Sequence, residues 1–184
     1  MKIMLYSNVL NNTLVSMLIG ILINALFLSL LFVFFKPNIA ISPKIARCNN
    51  ILRIKVVNRT GPYRLAKIIN INSLFFDLSD IKLQCDRATF DGGVTALEPI
   101  PLKISNLTFL GKYDKHDKTA SYARRFIIMK NSKIYNINPN NQAIRFRIFA
   151  RHSFSGLGKS FYKDYSQNFI KEGIFEPGDS FDIR

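Results

Sequence analysis

The hydrophobic pattern separates an uncharged N-terminal run from a remainder in which apolar and polar residues alternate. Residues Leu14 to Phe35 form 22 consecutive positions without a charge, and 16 of them are Leu, Ile, Val or Phe. At about 1.5 Å of rise per residue, a helix of this length crosses a hydrocarbon layer about 30 Å thick. The pattern predicts a transmembrane helix over 14–35, preceded by a short N-terminal tail over 1–13.

A cleaved signal peptide is the alternative interpretation of this run. Signal peptides have a hydrophobic region of about 7–15 residues that is followed by small residues at the cleavage site. Here the run is longer and ends in the bulky Phe34 and Phe35, followed by Lys36. We therefore expect a permanent anchor.

The flanking bases predict the orientation of this anchor. Only Lys2 precedes the run, whereas five bases follow it closely: Lys36, Lys44, Arg47, Arg53 and Lys55. Lys and Arg beside a span are preferentially retained on the cytoplasmic side. We expect a single-pass protein of the plasma or inner membrane, with its N terminus outside and its C-terminal domain in the cytoplasm.

The remainder predicts a tether over 36–50 and one all-β domain over 51–184. Short β-branched or aromatic runs alternate with clusters of Gly, Pro, Asn and Asp, which is typical of strands separated by turns. The predicted strands are Ile51–Asn58, Ala66–Leu78, Val94–Ser105, Arg125–Met129, Ala143–Ser153 and Lys159–Tyr165, with a closing segment at Ser180–Ile183.

Two of these strands alternate with a period of two, so that one face of each is apolar and the other is basic. The apolar positions are Leu52, Ile54, Val56, Ile144, Phe146, Ile148 and Ala150. The basic positions are Arg53, Lys55, Arg145, Arg147 and Arg151. An antiparallel sandwich with a buried apolar face and an exposed basic face is the predicted architecture.

The same strands carry a family resemblance. Residues Ile54 to Arg59 resemble the opening strand of the immunoglobulin-like (Ig-like) cytoplasmic domain of inward-rectifier potassium channels, and Ile144 to Gly156 resemble its penultimate long strand. A tyrosine, isoleucine, glycine, aromatic and Glu-Pro pattern of that family is matched by Tyr165, Ile170, Gly173, Phe175, Glu176 and Pro177. The aromatic residue stands one position closer to the glycine than in the family.

The resemblance implies an Ig-like β-sandwich beneath the membrane that assembles with copies of itself and responds to ligands or lipids. It does not imply a potassium pore. The channels of the family have two spans with a Gly-rich selectivity filter between them, whereas this chain has one predicted span and no Thr-x-Gly-Tyr-Gly segment.

The formal net charge of +14 favours anionic partners. Each base close to an anionic leaflet contributes about 1 kcal/mol of attraction, so we expect the bilayer and its anionic lipid headgroups to be partners, with a small anionic ligand as a further candidate. The candidate binding residues are Lys36, Lys44, Arg47, Arg53, Lys55, Arg145, Arg147 and Arg151. A simply solvated charged face is the alternative, and nucleic acid is not expected because no stacking-aromatic motif accompanies the bases.

The chain shows no pattern that predicts a catalytic, metal or cofactor site. Ser153 to Ser160 ends like a phosphate-binding P-loop but lacks its first glycine and a following helix,, so a hairpin turn is the better interpretation. His116 and His152 have no partner at metal-ligand spacing, and the two cysteines, Cys48 and Cys85, have neither metal nor redox spacing,.

Within the predicted span, Ser16, Gly20 and Asn24 recur every four residues and therefore share one helical face,. Small residues allow close helix contact, and a buried Asn can donate hydrogen bonds across it. These residues predict a homo-oligomer, although chance composition also produces such a stripe.

Together these patterns predict a membrane-anchored, non-enzymatic protein that binds, senses or scaffolds through a basic Ig-like domain. The alternative is a ligand-activated membrane effector whose oligomerised spans perturb or permeabilise the bilayer. An enzyme with its site spread over loops is a weaker third hypothesis.

Overall fold

The computed structural model describes residues 2–61, 76–114, 116–129 and 137–184. Within them the chain forms one N-terminal helix, α1 (Lys2–Phe34), and then strands. In chain order the strands are β1 (Ile39–Ile41), β2 (Ile45–Cys48), β3 (Ile51–Asn58), β4 (Leu78–Asp91), β5 (Val94–Ile100), β6 (Asn106–Leu110), β7 (Ala123–Ile128), β8 (Gln142–His152), β9 (Gly158–Tyr165) and β10 (Ile170–Glu172). The prediction of a mostly β protein behind an apolar helix is confirmed.

Helix α1 contains a stretch, Asn12–Leu30, that is long and apolar enough to cross a membrane, and none of this stretch is buried inside the protein. The helix also extends back through the predicted N-terminal tail to Lys2. That difference has a local reason, because residues 2–13 contain neither Gly nor Pro to interrupt the helical backbone,.

The strands form two sheets. In the first sheet, the central strand β3 pairs antiparallel with β1 and β2 along one edge and with β7 along the other, while β10 lies parallel to β2. In the second sheet, β4 pairs with β5 and β6 along one edge and with β8 along the other, and β9 follows β8.

The two sheets share one hydrophobic core. The apolar positions predicted from the period of two on β3 and β8 are all buried in it: Leu52, Ile54, Val56, Ile144, Phe146, Ile148 and Ala150. Across the core, the ring of Phe126 on β7 lies 6.1 Å from the ring of Phe146 on β8, measured between centroids. The prediction that these positions form a buried apolar face is therefore confirmed.

Strand prediction succeeded for β3, β8 and β9 but missed β4, the longest of the described strands, which overlaps a predicted strand only at Leu78. The bounds of β3 are as predicted, those of β8 differ by one residue at each end, and those of β9 differ by one residue at the start. The predicted Ala66–Leu78 strand lies mostly outside the described residues, and the observed strand begins at Leu78. The predicted Val94–Ser105 strand ends at Ile100, where the next residue, Pro101, cannot donate a ladder hydrogen bond,. The closing segment forms only an isolated bridge between Phe175 and Ile183.

The prediction of a tether over 36–50 that leads to the first strand is corrected by the structure, because these residues contain strands β1 and β2. The turn from β2 to β3 is made by Asn49 and Asn50, whose φ angles are +51° and +59°. Two consecutive residues with positive φ are typical of a tight type I′ hairpin, and Asn tolerates that conformation. The Asn-Asn pair therefore marks a hairpin that the strand prediction missed.

One end of the two sheets lies next to the end of α1, and we call it the helix-proximal end. Here the backbone N–H of Arg59 donates to the carbonyl of Asn38 (2.8 Å), and the Asn58 side chain donates to the carbonyl of Gly111 (2.9 Å). At the same end of the second sheet, Leu78 pairs with Leu110 on one side and with His152 on the other. These contacts join the start of β1, the end of β3 and the end of β8 at one level.

Candidate anion-binding site

A surface pocket of about 310 Å³ lies on the first sheet, and we call it the basic pocket. Strands β3 and β7, the loop before β7 and a C-terminal turn form its walls. Its lining residues are Lys55, Lys118, Thr119, Ala120, Ala123, Arg124, Arg125, Pro177 and Gly178. Four of these residues are cationic and none is acidic, so the pocket presents positive charge from several directions.

Lys55 is the buried member of this set. Its side chain is only 1% exposed, and its ammonium donates hydrogen bonds to the carbonyls of Glu176 (2.7 Å) and Ser180 (2.5 Å). Burial, together with the nearby charge of Arg125, lowers the pKa of Lys55 to about 8. The prediction that Lys55 projects from an exposed face is therefore wrong, because the C-terminal segment covers β3 at this position.

The loop before β7 is held in shape by Asp117. Its carboxylate accepts hydrogen bonds from the backbone N–H groups of Thr119 (2.8 Å) and Ser121 (2.7 Å), and hydrogen bonds from these two residues lower its pKa. Ala120 adopts a φ of +49°, which a non-glycine residue adopts at an energetic cost,. The loop therefore presents Lys118 at the pocket in an ordered conformation.

Arg124 and Arg125 begin β7 beside this loop, and both are exposed. Strand pairing places Arg125 directly opposite Lys55. Among the described residues, none makes a hydrogen bond or ion pair with the side chains of Lys118, Arg124 or Arg125. Three cationic groups are thus available to a ligand around a fourth that is fixed by the fold.

A second pocket, of about 320 Å³, provides a comparison. It is lined by Lys44 and Lys171 but also by the carboxylates of Glu172 and Asp182. Because its lining charges balance, this second pocket has no net preference for an anion.

The arginines predicted from β2 and β8 have carboxylate partners in the fold. Their ion pairs are Arg47 with Glu172, Arg145 with Asp164 (2.8 Å), Arg147 with Asp86 (2.7 Å) and Arg151 with Asp80 (3.6 Å). Asp86 is buried, and its ion pair with Arg147 compensates a charge that would otherwise be unpaired inside the protein,. The structure does not gather these arginines around the basic pocket.

Of the remaining predicted bases, Lys36 is exposed just after α1 and Arg53 is half-buried on β3. Only Lys55 of the predicted set lines the basic pocket. The sequence interpretation missed Lys118, Arg124 and Arg125. Their available signals were the adjacent Arg-Arg pair and the charge-rich loop before it.

The predicted small-residue face of α1 is exposed in the single chain, apart from a half-buried Gly20. The hydroxyl of Ser16 donates a hydrogen bond to the carbonyl of Asn12 (2.9 Å), one helical turn earlier. Apart from the neighbouring backbone of α1 itself, a Cβ atom at Gly20 would meet nothing within 4 Å. The face formed by Ser16, Gly20 and Asn24 is therefore accessible to a second helix.

The structure also places the cysteines and the P-loop-like segment considered in the sequence. Cys48 and Cys85 are free thiols, and burial raises the pKa of Cys85 to about 12. The segment from Ser153 to Ser160 forms a hairpin turn, as predicted: residues 153–157 connect β8 to β9, and residues 158–160 begin β9. Within the ranges that the structure describes, no group of three or more His, Cys, Asp or Glu residues is placed to hold a metal ion.

No protein-family model and no curated protein matches this chain. Its function is therefore inferred from the geometry of the basic pocket.

Proposed function

We propose that this chain is a membrane-anchored, non-enzymatic binding protein whose β domain binds an anionic group in the basic pocket. Helix α1 acts as the anchor and places the domain on the cytoplasmic side. The observation that carries this proposal is the set of four cationic side chains around one pocket, with no carboxylate among the described residues that line it. Phosphate oxygens are the natural partners of such a set, since charge-assisted hydrogen bonds are roughly twice as strong as neutral ones.

Two sources of phosphate chemistry reach this pocket. Lys55 lies three residues before Asn58, which is about 10 Å along a strand from the helix-proximal end,. A lipid headgroup and a soluble phosphate are both accessible at that distance from the anchor. The shared ligand is therefore a phosphate group with cationic neighbours on several sides.

The proposed domain class is an Ig-like sandwich. The segments that resemble the inward-rectifier cytoplasmic domain fall on β3, on β8 and on the C-terminal stretch from Tyr165 to Pro177. Tyr165 is fully buried, and its hydroxyl donates to the carbonyl of Ser42 (2.7 Å), which ties β9 to the first sheet. These contacts support the resemblance by giving its residues structural roles between the two sheets.

The binding test uses the full-length protein in nanodiscs of neutral lipid, titrated with inorganic pyrophosphate by calorimetry. The double variant Arg124→Gln with Arg125→Gln removes two pocket charges, and we expect affinity to fall by about tenfold or more, since 1.4 kcal/mol is a factor of ten. The control variant, Lys82→Gln with Lys163→Gln, removes two exposed charges on the second sheet. Equal losses in the two variants would contradict a specific site.

Hydrogen exchange at residues 117–121 distinguishes the two ligand sources. A soluble ligand predicts protection when pyrophosphate is added to neutral nanodiscs. A headgroup ligand predicts protection in nanodiscs that contain phosphatidylglycerol, without pyrophosphate. Protection in neither sample would refute the proposed site.

Self-association through α1 is part of the same proposal. Substituting both Gly20 and Asn24 with Leu places bulk on the proposed contact face and removes the central amide, so we expect a monomer in a membrane dimerisation assay. The control variant substitutes Leu22 and Leu26 with Ala, roughly on the opposite helical face. Unchanged assembly of the first variant would refute this contact.

A ligand-activated effector is the second candidate function. The observation that favours it is the hydrogen bond from the Ser155 hydroxyl to the carbonyl of Phe35 (2.9 Å), which couples the domain directly to the end of α1. An effector predicts pyrophosphate-dependent release of a dye from vesicles that contain the protein. Dye retention with a fully occupied pocket would favour the simple binding protein.

A further inference from the structure

Four aromatic rings meet where α1 joins the β domain, and we call them the junction cluster. The ring of Phe35 stacks on that of Phe76 at 5.7 Å between centroids, contacts His152 edge-on at 5.3 Å, and lies 5.5 Å from Phe154. Phe76 packs against Gly61, where a Cβ atom would come within 2.4 Å of its ring. The cluster thus connects the helix end to the turn between β8 and β9.

His152 is the fully buried member of this cluster. Its Nδ1 accepts a hydrogen bond from the backbone N–H of Ser155 (3.1 Å), while its Nε2 has no hydrogen-bond partner among the described residues. An Nδ1 acceptor requires a neutral ring with its proton on Nε2. The imidazole lies edge-on to the rings of Phe35 and Phe76.

The position of Phe35 along the helix indicates its depth. Phe35 is the last residue of the uncharged run from Leu14, which is about 33 Å long as a helix and therefore slightly exceeds a hydrocarbon core about 30 Å thick, and the charged Lys36 follows it,. The headgroup region on each side of the hydrocarbon core is about 5–8 Å thick. Phe35 therefore lies at the level of the headgroups when α1 crosses a bilayer, and so does the ring of Phe154 beside it.

Phe154 is nonetheless 60% exposed. It occupies the turn between β8 and β9, and Ser155 in the same turn donates to the carbonyl of Phe35 (2.9 Å). That carbonyl belongs to the group at a helix C terminus that lacks intrahelical partners. The turn is therefore bonded to the helix end while presenting an apolar side chain outward.

We propose that the turn Ser153–Leu157 enters the lipid interface and that Phe154 is its inserting side chain. This inference depends on the proposed role of α1 as a membrane anchor. The occupant is the bilayer that α1 crosses, because the turn is continuous with the end of that helix. The exposed bases Lys36 and Lys159 stand beside this turn and suit anionic headgroups,.

Insertion gives the domain two points of attachment, the helix end and the β8–β9 turn. Two points restrict the tilt of the sheets relative to the bilayer, whereas a single flexible tether would leave it free. The orientation of the basic pocket relative to the headgroups is then set by the fold.

The test exploits the absence of tryptophan from the chain. The variant Phe154→Trp carries a single fluorescent reporter, and the full-length protein is reconstituted into vesicles whose phospholipids are brominated on their acyl chains. We expect about twofold quenching and a blue-shifted emission, because inserted apolar side chains reach about 5–10 Å into the interface. The control variant, Tyr162→Trp, reports on a side chain that is 68% exposed on β9, about 16 Å along the strand from the turn,.

The outcomes separate this inference from the anchor itself. Protein that washes off the vesicles in alkaline carbonate overturns the anchor and the insertion together. Protein that remains bound, with the Phe154→Trp variant quenched no more than the Tyr162→Trp variant, overturns the insertion alone. A blue shift without bromolipid quenching means that protein covers the side chain, and this also overturns it. If Phe154→Trp fails to fold, Leu157→Trp in the same turn gives the same readings.

Discussion

Strands β7 and β8 both carry arginines, but the arginines of β7 line the basic pocket whereas those of β8 are paired with acids. The electrostatic surroundings of the two sets therefore differ. On β8, alternate arginines face carboxylates of neighbouring strands, as in the pairs of Arg145 with Asp164 and Arg147 with Asp86. On β7, Arg124 and Arg125 lie beside Lys118 and the buried Lys55, and none of the described residues that line the pocket is acidic. The number of bases in a strand therefore does not indicate where an anion binds, because the residues across the strand decide whether each charge is already neutralised.

The largest expected effect is at Lys55. The variant Lys55→Met keeps the volume of the side chain but leaves the carbonyls of Glu176 and Ser180 without their donor. We expect a loss of about 2–4 kcal/mol in the free energy of unfolding, since a buried unsatisfied group costs about 1–3 kcal/mol. Chemical denaturation of the full-length protein measures this loss.

Local proteolysis provides the control for that variant. Because the two carbonyls lie in the C-terminal segment, Lys55→Met is expected to expose residues 176–182 to protease before the rest of the domain. A variant as stable as the parent protein, with an equally protected C terminus, would show that Lys55 does not hold this segment.

The hydrogen bonds of Lys55 also show which features of the fold the sequence could predict and which it could not. Alternation on β3 and β8 predicted the core, because burial of one strand face is a local, period-two property. The covering of Lys55 depends on residues 121 and 125 positions later in the chain, and the pairing of Arg147 with Asp86 spans 61 positions. Such contacts depend on the sheet order, which alternation does not determine.

The short strands were missed for a related reason. Strands of three to five residues, such as β1, β6 and β10, are too short to show a convincing alternation,. The basic pocket was missed because Lys118 lies in a loop, where periodicity carries no information. Only the adjacent pair Arg124 and Arg125 was a visible signal, and the absence of acids from the described pocket lining can be seen only in the fold.

The next effect concerns pH and anion affinity. Burial, with the charge of Arg125, lowers the pKa of Lys55 from 10.5 to about 8. Lys55 is therefore protonated below about pH 8 and neutral above it, so the pocket loses one positive charge as the pH rises through that value. We expect pyrophosphate affinity to fall by up to about tenfold between pH 7 and pH 9, which corresponds to 1.4 kcal/mol.

The control for this pH dependence is the titration of the Lys55→Met variant, which has no ionisable group at that position. Its affinity should be lower at neutral pH and nearly flat over the same range. An equally steep fall in the variant would assign the dependence to the ligand or to another group.

The smallest effect is expected on β8, at Arg145. This guanidinium donates two hydrogen bonds of 2.8 Å to Asp164 and lies over the rings of Phe90 (5.7 Å) and Tyr162 (5.4 Å). The pair is partly exposed, so a double-mutant cycle with Arg145→Met and Asp164→Asn should give a coupling energy of about 0.5–1 kcal/mol. Chemical denaturation of the four proteins in the cycle measures it.

The decisive reading for Arg145 is pyrophosphate affinity rather than stability. Because its charge is already matched by Asp164, Arg145→Met should leave the affinity unchanged, whereas Arg124→Gln with Arg125→Gln should weaken binding strongly. If the Arg145 variant loses as much affinity as the pocket variant, the anion responds to the net charge of the domain. The contrast between the paired and the unpaired arginines would then carry no functional meaning, since both strands would attract the anion through the same long-range field.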